Sequence, residues 1–269
     1  MLETLRPRWT TVLCTLVVAL AAVGAANAET PEQKGLAIAN EAYDRDRGWQ
    51  DAQVDLAMLL KNKQGASSKR DLRIRGLEVP DDGAKSLVIF DSPRDVAGTA
   101  LLTFSHKVES DDQWLYLPAL KRVKLIASDN KSGPFVGSEF SYEDMIPQEV
   151  EKFSYKYVGE QACADGLQCF VVERYPVDKN SGYKRQVVLL DTTHYRVMQI
   201  DFYDRKDDHL KTLVNSNFKQ YLGKHWRPHL SVMENLRSGK STELSYSDFR
   251  FQTGLSDNDF NKNRLQNVR

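Results

Sequence analysis

The residues able to do chemistry in this chain are few, and their spacing suits none of the common reactions. His225 and His229 are separated by Trp226-Arg227-Pro228. On a helix that spacing would chelate a metal, but the proline and the strand-like surroundings argue against a helix. On a strand the two rings stand roughly 13 Å apart, so both are expected as surface histidines. Ser128-Asp129-Asn130-Lys131 satisfies Ser-x-x-Lys and Ser-Asp-Asn at once. In serine acyl-enzymes the first motif opens a buried helix faced by a Lys-Thr-Gly strand. Here the tetrapeptide lies in a polar turn before Gly133-Pro134, and the nearest partner reads Gln252-Thr253-Gly254. Asp111-Asp112 and Asp207-Asp208 sit between strand candidates, where solvated turn residues are expected. The sequence carries no nucleophile elbow, phosphate loop, dinucleotide fingerprint or calcium loop. No catalytic residue, metal or cofactor is therefore assigned.

Cys163 and Cys169 flank Ala-Asp-Gly-Leu-Gln, with Asp165-Gly166 as a turn signal. Two strands turning over so short a loop bring the thiols within bridging range, and a structural disulfide is expected. The spacing does not fit a redox-active Cys-x-x-Cys at a helix start. The third cysteine, Cys14, belongs to a segment with a different purpose. Arg6 and Arg8 precede the apolar run Val12 to Gly24, and Ala26-Asn27-Ala28 fits a small-x-small cleavage site. The apolar stretch falls short of the ~20 residues a spanning helix needs. Residues 1–28 are thus expected to be a cleaved signal peptide, with one exported domain over 29–269 and a periplasmic location.

The elements that must position these residues are mostly strands. Thr30-Pro31 opens a helix whose stripe is Leu36, Ile38, Ala39, Ala42 and Tyr43, ended by Gly48. After it the apolar period changes to two: Val54, Leu56, Met58 and Leu60 alternate with other residues, then Leu72 and Ile74 with Asp71, Arg73 and Arg75. Similar stretches recur to Phe251, joined by turns such as Asp81-Asp82-Gly83, Asn180-Ser181-Gly182 and Ser238-Gly239. Short helical elements are expected around Ser138 to Met145 and from Ser256. Eleven or more strands in an antiparallel meander cannot stay flat. The expected fold is mainly β: a curved antiparallel sheet forming an open half-barrel, with a few short helices over its concave face. The chain has 37 Lys plus Arg against 37 Asp plus Glu, with no basic block. That balance argues against a nucleic-acid partner.

The segment from Phe90 to Met145 is more specific. Phe90-Asp91-Ser92-Pro93-Arg94-Asp95-Val96-Ala97-Gly98-Thr99 leads to Asp112-Gln113-Trp114-Leu115-Tyr116-Leu117-Pro118 and then to Ser132-Gly133-Pro134-Phe135-Val136-Gly137-Ser138. This string resembles the outer membrane lipoprotein-sorting proteins, periplasmic relatives of the lipoprotein carrier LolA. The resemblance covers most of the mature chain, and Ser256-Asp257-Asn258-Asp259-Phe260 is similar to the family's closing helix. Leu125 stands where the family pattern leads one to expect a basic residue.

The resemblance implies a concave face that holds a lipid or the acyl chain of a lipoprotein under a helical lid, for transfer toward the outer membrane. Candidate lining residues are the apolar phase of the strands: Val54, Leu56, Met58, Ile74, Ile89, Leu102, Phe104, Trp114, Tyr116, Val123 and Leu125. Each has an ordinary reading as core, and sequence alone does not say which face turns inward. Tyr142-Glu143-Asp144 reads as part of the lid, a partner-docking surface or a capped surface helix. Two further readings stay open. One is a lipid-binding sensor or accessory module for an inner-membrane transporter of the RND or MMPL type. The other is an exported enzyme of unrecognised type, which a convergent cluster of buried charges would favour. A monomer is expected.

Overall fold

The structure, a computed structural model, describes Met1 and residues 28–268. The expected signal peptide lies almost wholly outside the described residues. Helix α1 spans Pro31–Asp46, and Thr30 caps it through a reciprocal box with Gln33. Its inward stripe is Gly35, Ile38, Ala39, Ala42 and Tyr43, while Leu36, expected in that stripe, is exposed. Gly35 takes the inner position because the helix rests directly on strand backbone. A β-carbon at Gly35 would lie 2.7 Å from the Tyr157 amide nitrogen and 2.9 Å from the Lys156 carbonyl carbon.

The strands are β1 (Asp51–Lys61), β2 (Ser67–Glu78), β3 (Ala84–Ser92), β4 (Ala100–Phe104), β5 (Asp112–Leu117), β6 (Arg122–Leu125), β7 (Phe153–Ala162) and β8 (Gln168–Pro176). They continue as β9 (Tyr183–Asp191), β10 (Val197–Asp204), β11 (His209–Ser216), β12 (Lys219–Tyr221), β13 (His225–Arg227), β14 (Leu230–Asn235), β15 (Lys240–Tyr246) and β16 (Arg250–Phe251). Fourteen of them form one antiparallel sheet in the order β6-β5-β4-β3-β2-β1-β15-β14-β11-β10-β9-β8-β7, with β16 also on β1; β12 and β13 make a separate hairpin. The edges β6 and β7 do not pair with each other, so the sheet is open and not a closed barrel. The expected stretch Lys211 to Tyr221 is broken at Asn217, whose positive φ ends β11 before β12 begins. Cys163 and Cys169 are bridged across the β7–β8 turn with Cα atoms 5.8 Å apart.

Register fixes which side chains meet. Val54, Ile74, Val88, Leu101 and Leu115 are successive cross-strand partners and share the inner face. Leu87, Leu102, Trp114 and Leu125 are partners on the opposite face. That outer face is covered over β3 to β5 by the C-terminal segment, where Phe260 and Leu265 are buried against Leu87, Ile89, Ala100 and Leu102. The helical element expected at Ser138 to Met145 is a single 3-10 turn over Glu143–Met145, and the one expected from Ser256 is a pair of 3-10 elements, Asp257–Asp259 and Lys262–Asn267. Ser141 and Asp144 satisfy each other's backbone amides as a helix cap would. Pro147 then holds Ile146 extended, so no helix follows.

Residues 131–149 instead form a strap of coil and turns across the inner face. Phe135 is fully buried 5.6 Å from the Phe90 ring, and the Val136 carbonyl accepts from Arg70 at 2.6 Å. Lys211 on β11 donates to the Glu139 carbonyl at 2.9 Å and to Asp144 Oδ2 at 2.6 Å. The Lys211 and Asp144 side chains are 5% and 6% exposed. Tyr183 on β9 donates to Asp144 Oδ1 at 2.8 Å. Glu143 accepts from the Ser181 hydroxyl and, at 2.9 Å, from the Gly182 amide. Tyr142-Glu143-Asp144 therefore belongs to the lid, with its carboxylates turned inward as fasteners.

Two stability measurements check this arrangement. Gly35→Ala gains up to about 1 kcal/mol of helix propensity, but crowding the β7 backbone outweighs it. The expected net loss is about 1–3 kcal/mol by urea denaturation. Gly159→Ala on β7, where a β-carbon meets open space, is expected to stay within about 0.5 kcal/mol. Asp144→Ala strands a buried ammonium and is expected to cost about 3–5 kcal/mol, with Asp144→Ala/Lys211→Met losing less than that single change.

Candidate functional site

Helix α1, the strap and the far half of the sheet enclose a cavity of about 480 Å³. Its floor is inner-face side chains of β7 to β9, Tyr155, Val172, Val188 and Leu190, and its roof is Ala39, Ala42 and Tyr43 of α1. Gly35 sets the helix down on the edge strand, so the helix's C-terminal half projects over the floor. That half is pinned at its end: Arg45 donates to the Thr193 carbonyl at 2.7 Å, and Asp46 pairs with Arg227 on β13. A second cavity of about 220 Å³ lies beyond Gln148, Glu149 and Arg174, which line both. It is walled by Phe140, Ile146, Ile200, Phe202 and Met233, and by the fasteners Glu143 and Asp144.

The larger cavity is greasy at its floor and cationic around it. Arg45, Arg174, Arg196, Lys224 and Arg227 line it against two carboxylates, Asp46 and Glu149. At the mouth the Arg196 guanidinium lies 4.8 Å over the Trp226 ring and 5.0 Å over Phe218, while Arg45 lies 4.3 Å over Tyr195. Arg196 also pairs with Asp191 at 2.7 Å. Burial alone would raise the Asp191 pKa, yet the hydrogen bonds from Arg196 and the backbone hold it below the ordinary value. Glu149 is the opposite case. Burial pushes its carboxyl up, although Tyr43 and Ser105 each donate to it at 3.0 Å. Burial likewise raises Glu143 and lowers Arg174.

None of the eleven candidate lining residues borders either cavity. Leu56, Met58 and Ile74 pack in the inner core, and Val54 is buried in the same phase of β1. Ile89, Leu102, Phe104, Trp114 and Tyr116 belong to the outer core beneath Phe260 and Leu265. Val123 and Leu125 lie at the β6 edge, 40% and 61% exposed. The physical reason is that β3 and β4 are buried on both faces, so period two there does not tell inside from outside. The cavity belongs to the other half of the sheet, where the signal was a cation, Arg174, in phase with Phe170 and Val172 on β8.

The expectation of surface histidines also needs correction. His225 is fully buried against Phe251 with both ring nitrogens unpartnered, and burial lowers its pKa. His229 is held between the Tyr221 hydroxyl at 2.8 Å and the Tyr246 carbonyl at 3.0 Å. Among the described residues no group of three or more His, Cys, Asp or Glu could hold a metal ion. No described helix is long and apolar enough to cross a membrane.

A family described as "uncharacterized protein" matches residues 82–267. No curated protein matches the chain. Among solved structures, an outer membrane lipoprotein-sorting protein domain from Vibrio parahaemolyticus is 56% identical with a TM-score of 0.85, covering 87% of this chain and 99% of that one. A DUF1329 family protein from Desulfovibrio piger is 30% identical with a TM-score of 0.82, covering 88% and 99%. A LolA superfamily protein from Nitrosomonas europaea shares the fold at 21% identity and a TM-score of 0.67, covering 85% and 98%. With the open antiparallel sheet and its strap already described, these likenesses establish that the chain belongs to the outer membrane lipoprotein-sorting proteins, built on the LolA fold.

Proposed function

We propose that the protein is a periplasmic carrier that shelters an acyl chain of a lipid or lipoprotein beneath α1 for transfer toward the outer membrane. The observation that carries this reading is the cavity of about 480 Å³ between the helix and the apolar floor of β7 to β9. That volume lies within the range of about 300–1,000 Å³ typical of small-molecule sites. Each methylene moved out of water contributes ~0.8 kcal/mol, so a long acyl chain gains on the order of 10 kcal/mol there. A carrier must also release its load. The cationic mouth limits the apolar burial to the floor, which keeps the site no greasier than a bilayer.

The buried charges that an enzyme would use are present beside the smaller cavity, but they are occupied. Asp144 accepts from Lys211, Tyr183 and the Ser141 amide, and Glu143 from Ser181 and Gly182. This saturation favours fastening over proton transfer. A sensor working beside a transporter would bind lipid without moving it. A labelled phospholipid or lipoprotein passing from donor to acceptor vesicles only with the protein present separates the two roles.

Native mass spectrometry of the purified protein, followed by solvent extraction, is expected to recover bound lipid. Ala42→Trp, which fills the roof of the cavity from a half-buried helix position, is expected to lower the lipid recovered per protein several-fold with the far-UV spectrum unchanged. Lipid-free wild-type protein in both measurements would overturn the carrier reading.

A further inference from the structure

Several buried or half-buried cations in this molecule come with their own carboxylates, whereas Arg174 does not; Arg70, likewise without a carboxylate, is spent on the Val136 carbonyl of the strap. Lys211 is paired with Asp144, Lys131 with Asp178, Arg196 with Asp191 and Arg227 with Asp46. Arg174 projects from the inner face of β8 in register with Tyr155 on β7 and Gln186 on β9. Its Nε donates to Gln186 Oε1 at 2.7 Å, and its guanidinium lies 4.5 Å over the Phe153 ring. Among the described residues no carboxylate lies within 4 Å of it, and its two terminal nitrogens donate to no protein atom. Glu149, which lines the same wall, is already engaged by Tyr43 and Ser105. Glu143 and Asp144 are held by the strap contacts described above.

Arg174 is half-buried, and its terminal nitrogens are not sealed in protein but open onto the cavity space, where a charge-assisted contact is stronger than in bulk water. Arg174 is also oriented: Gln186 and Phe153 fix the plane of the guanidinium and leave its outer edge free. That planar edge matches the two oxygens of a carboxylate or phosphate in a bidentate contact. It stands on the wall shared by the two cavities, one step along β8 from Val172 on the apolar floor. We propose that Arg174 is the receptor for an oxyanion, a carboxylate or a phosphate, carried by an amphiphile whose apolar chain lies in the larger cavity. This assignment rests on the carrier reading and adds to it the chemical class of the load: an anionic lipid, bound head inward. Binding pairs the guanidinium with the head group and shields the chain with Val172, Val188 and Leu190 in the same event.

The test is a fluorescence titration of the purified protein with cis-parinaric acid and with its methyl ester. Lysophosphatidic acid and the matching monoacylglycerol serve as a second, competing pair. In at least one pair the wild type is expected to bind the acid at least about tenfold tighter than its uncharged partner, the strength of a charge-assisted contact. Arg174→Gln is expected to remove that preference while leaving the uncharged partner within about twofold, and Arg174→Lys to restore part of it. Equal binding of acid and uncharged partner to the wild type in both pairs overturns the assignment and leaves the carrier reading standing. That comparison needs no variant. A preference that survives Arg174→Gln overturns it too, as does inorganic phosphate alone displacing the acid but not the ester, which would make the ligand a free ion. If no amphiphile of either kind binds, both the assignment and the carrier reading fall.

Discussion

The ammonium of Lys211 and the carboxylate of Asp144, sealed between strap and sheet, decide how this molecule covers its inner face. A sheet this wide exposes far more apolar surface than one sixteen-residue helix can shield. The remainder is spanned by a strap with almost no regular structure, whose polar backbone must find partners or stay solvated. It finds them at points: the Glu139 carbonyl on Lys211, the Val136 carbonyl on Arg70, the Glu139 amide on Thr242 and the Tyr142 carbonyl on Gln113. A cover tied at points does not fill what lies beneath it as interdigitated side chains would. The hollow spaces follow from that mode of attachment. Desolvating a carboxylate and an ammonium is expensive even when they meet, so the pair yields placement more than net stability.

Much of the fold was legible in sequence because alternation and turn chemistry act locally. The strands, the α1 boundaries at Thr30-Pro31 and Gly48, and the Cys163–Cys169 bridge each follow from residues near in sequence. Where the reading failed, the deciding partner was distant. Leu36 is apolar and falls at the spacing of the inner stripe, yet the inner position belongs to Gly35, since only that residue lets the helix touch β7 backbone. Leu87 to Phe90 are all buried, two on each face, because the C-terminal segment returns to cover the outer side. His225 looked polar and exposed from its neighbours, but Phe251 and the β12–β13 hairpin enclose it. The cavity eluded composition for a related reason: its floor and its guanidinium alternate along β8 and β9 no more conspicuously than any other strand.

The two halves of the sheet divide the labour. On β3 to β5 both faces are packed, inner side by Phe135 and the strap, outer side by Phe260 and Leu265. This half supplies rigidity. On β7 to β10 the inner face is left partly unfilled, and the residues around the opening are long, amphipathic side chains such as Arg45, Arg196 and Trp226. Such side chains cover apolar surface while keeping their polar ends in water.

The centre of the sheet is a seam between β1 and β15, with Leu56 opposite Tyr246 and Lys61 opposite Ser241. Every other ladder in the main path joins strands closer in the chain, mostly neighbours across a short turn. As the polypeptide threads out in order, the hairpins of the first six strands can zip at once, while β1 waits with a bare rim until nearly the whole chain has emerged. Such long-range closure is slow because a large loop must be tamed before any contact rewards it. During that delay the rim of β1 is open to strands from other molecules. A newly made copy is thus most vulnerable to clumping at the strand that ends up deepest inside the finished sheet.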